Sequence, residues 1–128
     1  MALSAKTVNR VFVQSGDVLT YTISLVNVGG VGSLIRVTDT IPLDTSYVAG
    51  SAYISPATGT LTDVGGIFWS GTLADTALEI GFGVVVEGQE PEVITNRVSI
   101  DDGFSVVVRE AITIANGYRI YLPVILRQ

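Results

Sequence analysis

The stretch GDVLTYTISLVNVGG, residues 16–30, decides the fold class because its apolar and polar residues alternate with a period of two. The apolar positions are Leu19, Tyr21, Ile23 and Leu25. Successive side chains of a β-strand point to opposite faces of a sheet, so the pattern predicts a strand with one face in a core and the other in water. Glycine adopts positive φ readily, and therefore Gly16 and the Gly29-Gly30 pair predict turns at the two ends.

The same pattern recurs along the chain and predicts an all-β sandwich. The predicted strands cover residues 4–13 (with a break near Asn9-Arg10), 34–41, 51–54, 67–72, 78–87, 93–100 and 104–114. Turn residues separate them at intervals of about 8–12 residues, which is typical of a sandwich. Asp101-Asp102-Gly103 predicts a hairpin between the last two strands. No stretch has the 3.6-residue period of a helix, and no internal repeat divides the chain.

The length of 128 residues suits one domain with a hydrophobic core, predicted to span residues 1–117. Residues 118–128, YRIYLPVILRQ, form a distinct apolar tail after the Asn116-Gly117 turn. Pro123 lacks an N–H group, which confines a strand that contains it to a sheet edge or a bulge. The tail is therefore predicted to be either an extra edge strand or an appended segment.

Charge and composition argue against several classes of partner. The net charge is −5, whereas a nucleic-acid-binding surface or a segment that docks on anionic lipid is basic. No apolar run approaches the roughly 20 residues of a membrane-spanning helix. The first residues, MALSAKTV, lack the charged and apolar regions of a signal peptide. We predict no nucleic-acid partner and no membrane insertion.

The residues needed for common catalytic chemistry are missing, which predicts a protein that is not an enzyme. The chain has neither histidine nor cysteine, so a Ser-His-Asp or Cys-His arrangement cannot form. Lys6 is the only substitute base, and no Ser-x-x-Lys spacing exists. The glycines of GGVGSL and GFGVVV lack the order of a phosphate-binding loop. Most acidic residues fall in predicted turns, away from a cleft where two carboxylates could face a glycosidic bond. No cofactor is predicted.

Several motifs in the right order resemble a known repeat of bacterial and archaeal surface proteins. Beside the opening stretch they are VTDTIP at 37–42, YVAGSA at 47–52, FWSGTL at 68–73 and ITNRVSI at 94–100. Together they resemble the domain of unknown function eleven, over roughly residues 5–115. The resemblance implies an Ig-like β-sandwich of about seven to eight antiparallel strands in Greek-key order. The tail is similar to the C-terminal endings of some secreted multidomain bacterial proteins.

The resemblance also implies a function and a location. It implies a non-catalytic structural or stalk module of a larger secreted or cell-surface protein, with the neighbouring domains of the same parent chain as partners. The alternative is an adhesive module that binds cell-wall glycan or protein with the loops at one end of the sandwich.

Three polar residues, Asn27, Asp39 and Asn96, share the inward parity of the apolar residues on their strands. One interpretation is structural, because buried polar side chains near strand ends satisfy backbone groups. A second hypothesis adds Lys6, which shares the parity of Val8 on the first strand. In some Ig-like adhesins a first-strand lysine bonds covalently to a last-strand asparagine, promoted by a nearby acid. Lys6, Asn96 and Asp39 are the residue types for such an isopeptide bond, which lowers the mass by one ammonia.

A calcium site is an alternative interpretation of the acidic turn, because calcium prefers oxygen ligands. Asp101 and Asp102, with Asp39 or Asp63, are the candidate ligands, although Asp-Asp-Gly is also an ordinary hairpin turn.

Trp69 shares a face with Ile67, which predicts a core tryptophan. Together with Tyr21 and Asn27 it is assigned a structural role. A sugar-stacking surface would require exposed aromatic rings, for which Tyr47, Tyr53 and Phe68 are the candidates.

Overall fold

The computed structural model describes residues 2–27, 34–73 and 77–117, except for the side chains of Ala2, Leu3 and Asn27. Eleven β-strands and no helix occur in these ranges. The strands are β1 Ala2–Val8, β2 Phe12–Val13, β3 Val18–Asn27, β4 Leu34–Asp39, β5 Thr45–Tyr47, β6 Tyr53–Ser55, β7 Thr60–Thr62, β8 Ile67–Thr72, β9 Ala77–Val86, β10 Glu92–Asp101 and β11 Val106–Ala115. The Gly29-Gly30 turn and the tail 118–128 lie outside the described residues, so both stay predictions.

The strands form two sheets that pack as an Ig-like sandwich, which confirms the predicted fold class. The first sheet has the order β1-β3-β9-β5, and β6 also pairs with β9. The second has the order β2-β11-β10-β4-β8-β7. The chain crosses between the sheets from β1 to β2, from β2 to β3 and again from β3 to β4. Neighbouring strands are therefore often distant in sequence, as where β4 pairs with β10.

The core lies between the inner faces of the two sheets. The alternation in β3 places Leu19, Tyr21, Ile23 and Leu25 in the core, each 0% exposed. Strand β9 is instead buried on both faces from Ile80 to Val84, where the side chain of Tyr53 on the neighbouring strand β6 lies over it. Gly81 permits this cover, because a Cβ atom there would lie 2.2 Å from the ring of Tyr53.

Strands β5 and β7 are absent from the sequence-based prediction, and β6 begins two residues later than predicted. Each has only three residues, which is too short for a period of two to be recognised. Seven strands have six or more residues, and these were predicted from the pattern.

Trp69 of β8 is buried, with 2% of its surface exposed. Its indole Nε1 donates a hydrogen bond of 2.8 Å to the backbone oxygen of Thr58. The ring also lies against Gly71, where a Cβ atom would be 2.6 Å from Trp69 Cζ2. The core position of the indole thus depends on a glycine on the same strand.

Gly71→Ala is expected to destabilise the domain by ~1–3 kcal/mol, because the new methyl group forces the indole out of its position. Urea unfolding measures the loss, and acrylamide quenching of Trp69 emission reports the displaced ring. Gly83→Ala is the matched control, since its Cβ would meet no atom closer than 3.6 Å. Equal stability of the two variants would contradict this account of Trp69 packing.

Candidate functional site

Lys6, Asp39 and Asn96 meet in the core, although they come from three strands and both sheets. Lys6 lies on β1 at the edge of the first sheet, opposite Ile23 of β3. Asp39 ends β4 in the second sheet and pairs with Val98 of β10, two residues from Asn96. The exposed fractions are 7% for Lys6, 0% for Asp39 and 1% for Asn96. Lys6 is the only lysine of the chain, and its side chain is completely buried.

Hydrogen bonds hold the three side chains in contact. Lys6 Nζ donates to Asp39 Oδ2, and the contact is an ion pair when both groups are charged. Asn96 Nδ2 donates to Asp39 Oδ1 at 2.8 Å and to the backbone oxygen of Thr40 at 2.8 Å. The Thr40 oxygen can only accept, so it requires the nitrogen rather than the oxygen of the amide at this position. The amide orientation therefore follows from its partners.

Two aromatic rings form the apolar wall beside the lysine. Lys6 Nζ lies 4.6 Å from the ring centroid of Tyr21 and 5.2 Å from that of Phe82. The two rings contact each other with centroids 5.3 Å apart. Aromatic faces attract a cation, but they replace only part of the hydration that burial removes.

Burial shifts both ionisable groups toward their neutral forms. Desolvation lowers the pKa of Lys6, although the charge of Asp39 and its hydrogen bond oppose this shift. Desolvation likewise raises the pKa of Asp39, against the opposing effects of Lys6 and Asn96. A proton transfer from the ammonium to the carboxylate removes both charges from the core. The resulting pair is a carboxylic acid and a free primary amine.

This arrangement brings together a nucleophile, an acyl group and a proton carrier. A neutral amine is nucleophilic because its lone pair is free, whereas an ammonium is not. Asp39 contacts both the amine of Lys6 and the amide nitrogen of Asn96, so it can carry a proton from one to the other. The side-chain carbonyl carbon of Asn96 is the electrophile, and Asp39 connects it to the amine through hydrogen bonds to both residues.

The acidic turn residues are engaged in local hydrogen bonds. Asp102 Oδ1 accepts from the backbone N–H groups of Phe104 and Ser105, each at 2.9 Å. These bonds lower the pKa of Asp102, with Ser105 the larger cause. Asp101 Oδ1 accepts from the N–H of Gly103 at 2.8 Å. Asp39 lies in the buried cluster, and no group of acidic side chains suited to a metal ion forms within 2–27, 34–73 and 77–117.

The three aromatic candidates for sugar stacking are divided between the two sheets. Tyr47 and Tyr53 are on β5 and β6 of the first sheet, and Phe68 is on β8 of the second. The Tyr47 hydroxyl donates to Asp63 and the Tyr53 hydroxyl to Glu79, each at 2.7 Å.

Asn116 is a buried polar residue, whereas its sequence predicts only a turn. It adopts φ of 58° and is 1% exposed. Its Nδ2 donates to the backbone oxygens of Gly88 and Glu90, and its Oδ1 accepts from the N–H of Ser15. The Asn-Gly dipeptide predicts the positive φ, but the local sequence does not predict hydrogen bonds to partners that are distant along the chain.

No family model matches the chain, and no curated protein sequence is similar to it. Solved structures do share its fold. The collagen-binding domain of a Staphylococcus aureus adhesin aligns with a TM-score of 0.57 and 9% identity, over 88% of this chain and 95% of that one. The CARDB domain of a Pyrococcus furiosus protein aligns with a TM-score of 0.51 and 13% identity, over 89% and 93%.

A third structure shows how widely this fold is used. AvmM, which catalyses macrocyclization in alchivemycin A biosynthesis, aligns with a TM-score of 0.52 and 6% identity, over 89% of this chain and 88% of that one. At these identities the likeness concerns the fold alone, and the fold carries both binding and catalysis. The described part of the chain contains no helix long and apolar enough to span a membrane. The chain thus has an Ig-like sandwich fold, and its function has to be inferred from its own residues.

Proposed function

We propose that this chain is a stalk module of a larger secreted or cell-surface protein, strengthened by a covalent amide bond between Lys6 Nζ and Asn96 Cγ. The observation that carries the proposal is the buried contact of Lys6, Asp39 and Asn96 across the two sheets. The resemblance of the sequence to the domain of unknown function eleven supports the stalk and its extracellular location.

The reaction balances within the cluster. Asp39 takes a proton from the Lys6 ammonium, and the amine lone pair attacks Asn96 Cγ to form the Nζ–Cγ bond. Asp39 then passes that proton to Nδ2, the Cγ–Nδ2 bond breaks and ammonia leaves. Asn96 Nδ2 is well placed to receive that proton, because it already lies 2.8 Å from Asp39 Oδ1. Nζ, which still carries two protons, releases one of them to Asp39 and becomes the neutral amide N–H. The products are one secondary amide, one ammonia and the protonated carboxyl of Asp39, and no oxidant, metal or cofactor is consumed.

The energetics of the cluster favour a covalent product over a purely structural ion pair. A buried ion pair often stabilises a fold less than apolar side chains of similar size do, because both charges lose their hydration. The unreacted cluster also leaves Asn96 Oδ1 without a hydrogen-bond partner among the described residues. Amide formation removes the buried amine and ammonium altogether, so it relieves the desolvation cost.

The position of the bond suits a module that resists tension. Lys6 lies on the first strand of one sheet, and Asn96 lies on the penultimate strand of the other. A bond between them links the sheets and encloses most of the chain in a covalent loop. Tension applied to the ends of the domain then passes through this bond instead of through the strands inside the loop.

The intact mass of the purified chain tests the proposal. We expect the native chain to weigh less than its sequence mass by one ammonia, and Lys6→Arg and Asn96→Ala each to keep their full mass. Because Lys6 is the only lysine, amine labelling of the unfolded chain gives a second readout. The native chain should label only at its α-amine, and Asn96→Ala should label at two amines. A native chain with its full mass and two reactive amines would refute the bond.

Adhesion is the second candidate function, and an open groove on the second sheet favours it. The groove has a volume of about 280 Å³, and the residues that line it include Arg36, Phe68, Thr38, Thr60 and Ser70. A cation, an aromatic ring and hydroxyl groups suit a glycan or a protein segment. The groove lies outside the buried cluster, so a cross-linked stalk can also carry this binding surface.

A further inference from the structure

We infer that the Tyr21 hydroxyl is a catalytic hydrogen-bond donor that stabilises the Asn96 carbonyl oxygen while the amide bond forms. The inference rests on the proposed cross-link, and it assigns to Tyr21 a role beyond core packing. Two buried atoms support it: the hydroxyl of Tyr21 and Oδ1 of Asn96.

These two atoms are the only buried side-chain nitrogen or oxygen atoms in the described ranges that lack a hydrogen-bond partner. Buried polar atoms in folded proteins are almost always paired, so each such exception requires an explanation. Their chemistry is complementary, because a phenol hydroxyl donates a hydrogen bond and a carboxamide oxygen accepts one. Both side chains contact the Lys6–Asp39 pair, Tyr21 through Lys6 and Asn96 through Asp39.

The contact with Lys6 places the Tyr21 ring beside one of the reacting atoms, Nζ. Lys6 Nζ lies 4.6 Å from the centre of the Tyr21 ring. Burial, and secondarily the charge of Asp39, raises the pKa of Tyr21 to about 12. The hydroxyl therefore keeps its proton at neutral pH, and Asp39 is near enough to influence it.

The reaction itself creates the need for a donor at Oδ1. When Nζ attacks Cγ, the carbonyl π electrons move to Oδ1, which becomes an oxyanion until the Cγ–Nδ2 bond breaks. Hydrogen-bond donors aimed at such an oxygen act strongly in a site without water. The two N–H groups of the Asn96 amide already donate to Asp39 and to the backbone oxygen of Thr40, so neither stabilises the oxyanion. The Tyr21 hydroxyl is the unengaged donor in the cluster.

Tyr21→Phe tests the role because it removes the hydroxyl and keeps the ring. The full chain is dissolved from inclusion bodies in guanidinium chloride and refolded by dilution. Trp69 emission then follows folding, while the mass of acid-quenched samples follows loss of ammonia. We expect folding at the native rate and bond formation slowed by ~100-fold, the typical effect of removing one oxyanion donor. Tyr53→Phe, which removes an exposed hydroxyl, should react at the native rate.

A second measurement separates catalysis from packing and remains informative if Tyr21→Phe folds poorly. Replacing all five tyrosines by 3-fluorotyrosine makes each hydroxyl a stronger donor and leaves its size nearly unchanged. A donor role predicts faster ammonia loss, whereas a packing role predicts no change. Native-rate ammonia loss in folded Tyr21→Phe, or an unchanged rate in the fluorinated chain, overturns the inference while the cross-link stands. A native chain that keeps its full mass overturns both.

Discussion

Asn96→Ala is expected to lower the midpoint of thermal unfolding by roughly 15–20 °C. A cross-link stabilises a fold mainly by restricting the unfolded chain, and a loop of about 90 residues corresponds to ~4.5 kcal/mol in the chain-entropy description used for disulfides. For a domain of this size each kcal/mol shifts the midpoint by roughly 3–5 °C. Differential scanning calorimetry of the two chains measures the shift.

Asn116→Ala provides the matched control, because Asn116 is equally buried and its Nδ2 likewise donates two hydrogen bonds, in this case to backbone oxygens. Its loss should cost the hydrogen bonds of a buried amide, ~1–3 kcal/mol. The positive φ at this position adds ~1 kcal/mol for alanine. The excess loss in Asn96→Ala then measures the contribution of the covalent loop. Equal midpoints for the two variants would show that Asn96 stabilises the fold only through its hydrogen bonds.

The period of two in the sequence is sufficient to predict that Lys6, Asp39 and Asn96 point inward. On a strand, every second side chain lies on the same face, so each residue takes the orientation of its apolar neighbours. Whether they come into contact depends instead on which strands pair and how the two sheets pack. Asp39 reaches Asn96 because β4 and β10 pair, and Lys6 reaches Asp39 from β1 of the other sheet. Local patterns carry no information about which distant strands become neighbours.

The residues around the cluster show the same limit. Tyr21 has the alternation of an ordinary core residue, and nothing in its local sequence distinguishes its hydroxyl from that of any buried tyrosine. Phe82 lies in an apolar run buried on both faces, where a period of two disappears. Both become candidates for a role in the cluster only when their distances to Lys6 Nζ are known.

Pulling on the two ends of the chain in a single-molecule experiment is expected to give a short extension. With the bond in place, the segment between Lys6 and Asn96 stays closed, and the strand beyond it, β11, detaches from β10. About 30 residues C-terminal to Asn96 then extend, which releases at most ~100 Å of chain. Lys6→Arg keeps the positive charge but has no primary amine that could form the bond. Its whole sandwich should therefore unfold under tension. That variant should release a further ~300 Å, the extended length of about 90 residues.

The difference between the two extensions separates a covalent loop from strong non-covalent packing. Ion pairs and hydrogen bonds change the force at which strands separate, but they do not change the length of chain that is finally released. Asn116→Ala should therefore unfold at lower force with the same short extension as the native chain. An extension in the native chain that matches Lys6→Arg would mean that tension passes through every strand, and the domain would then resist force by its hydrogen bonds and apolar core alone.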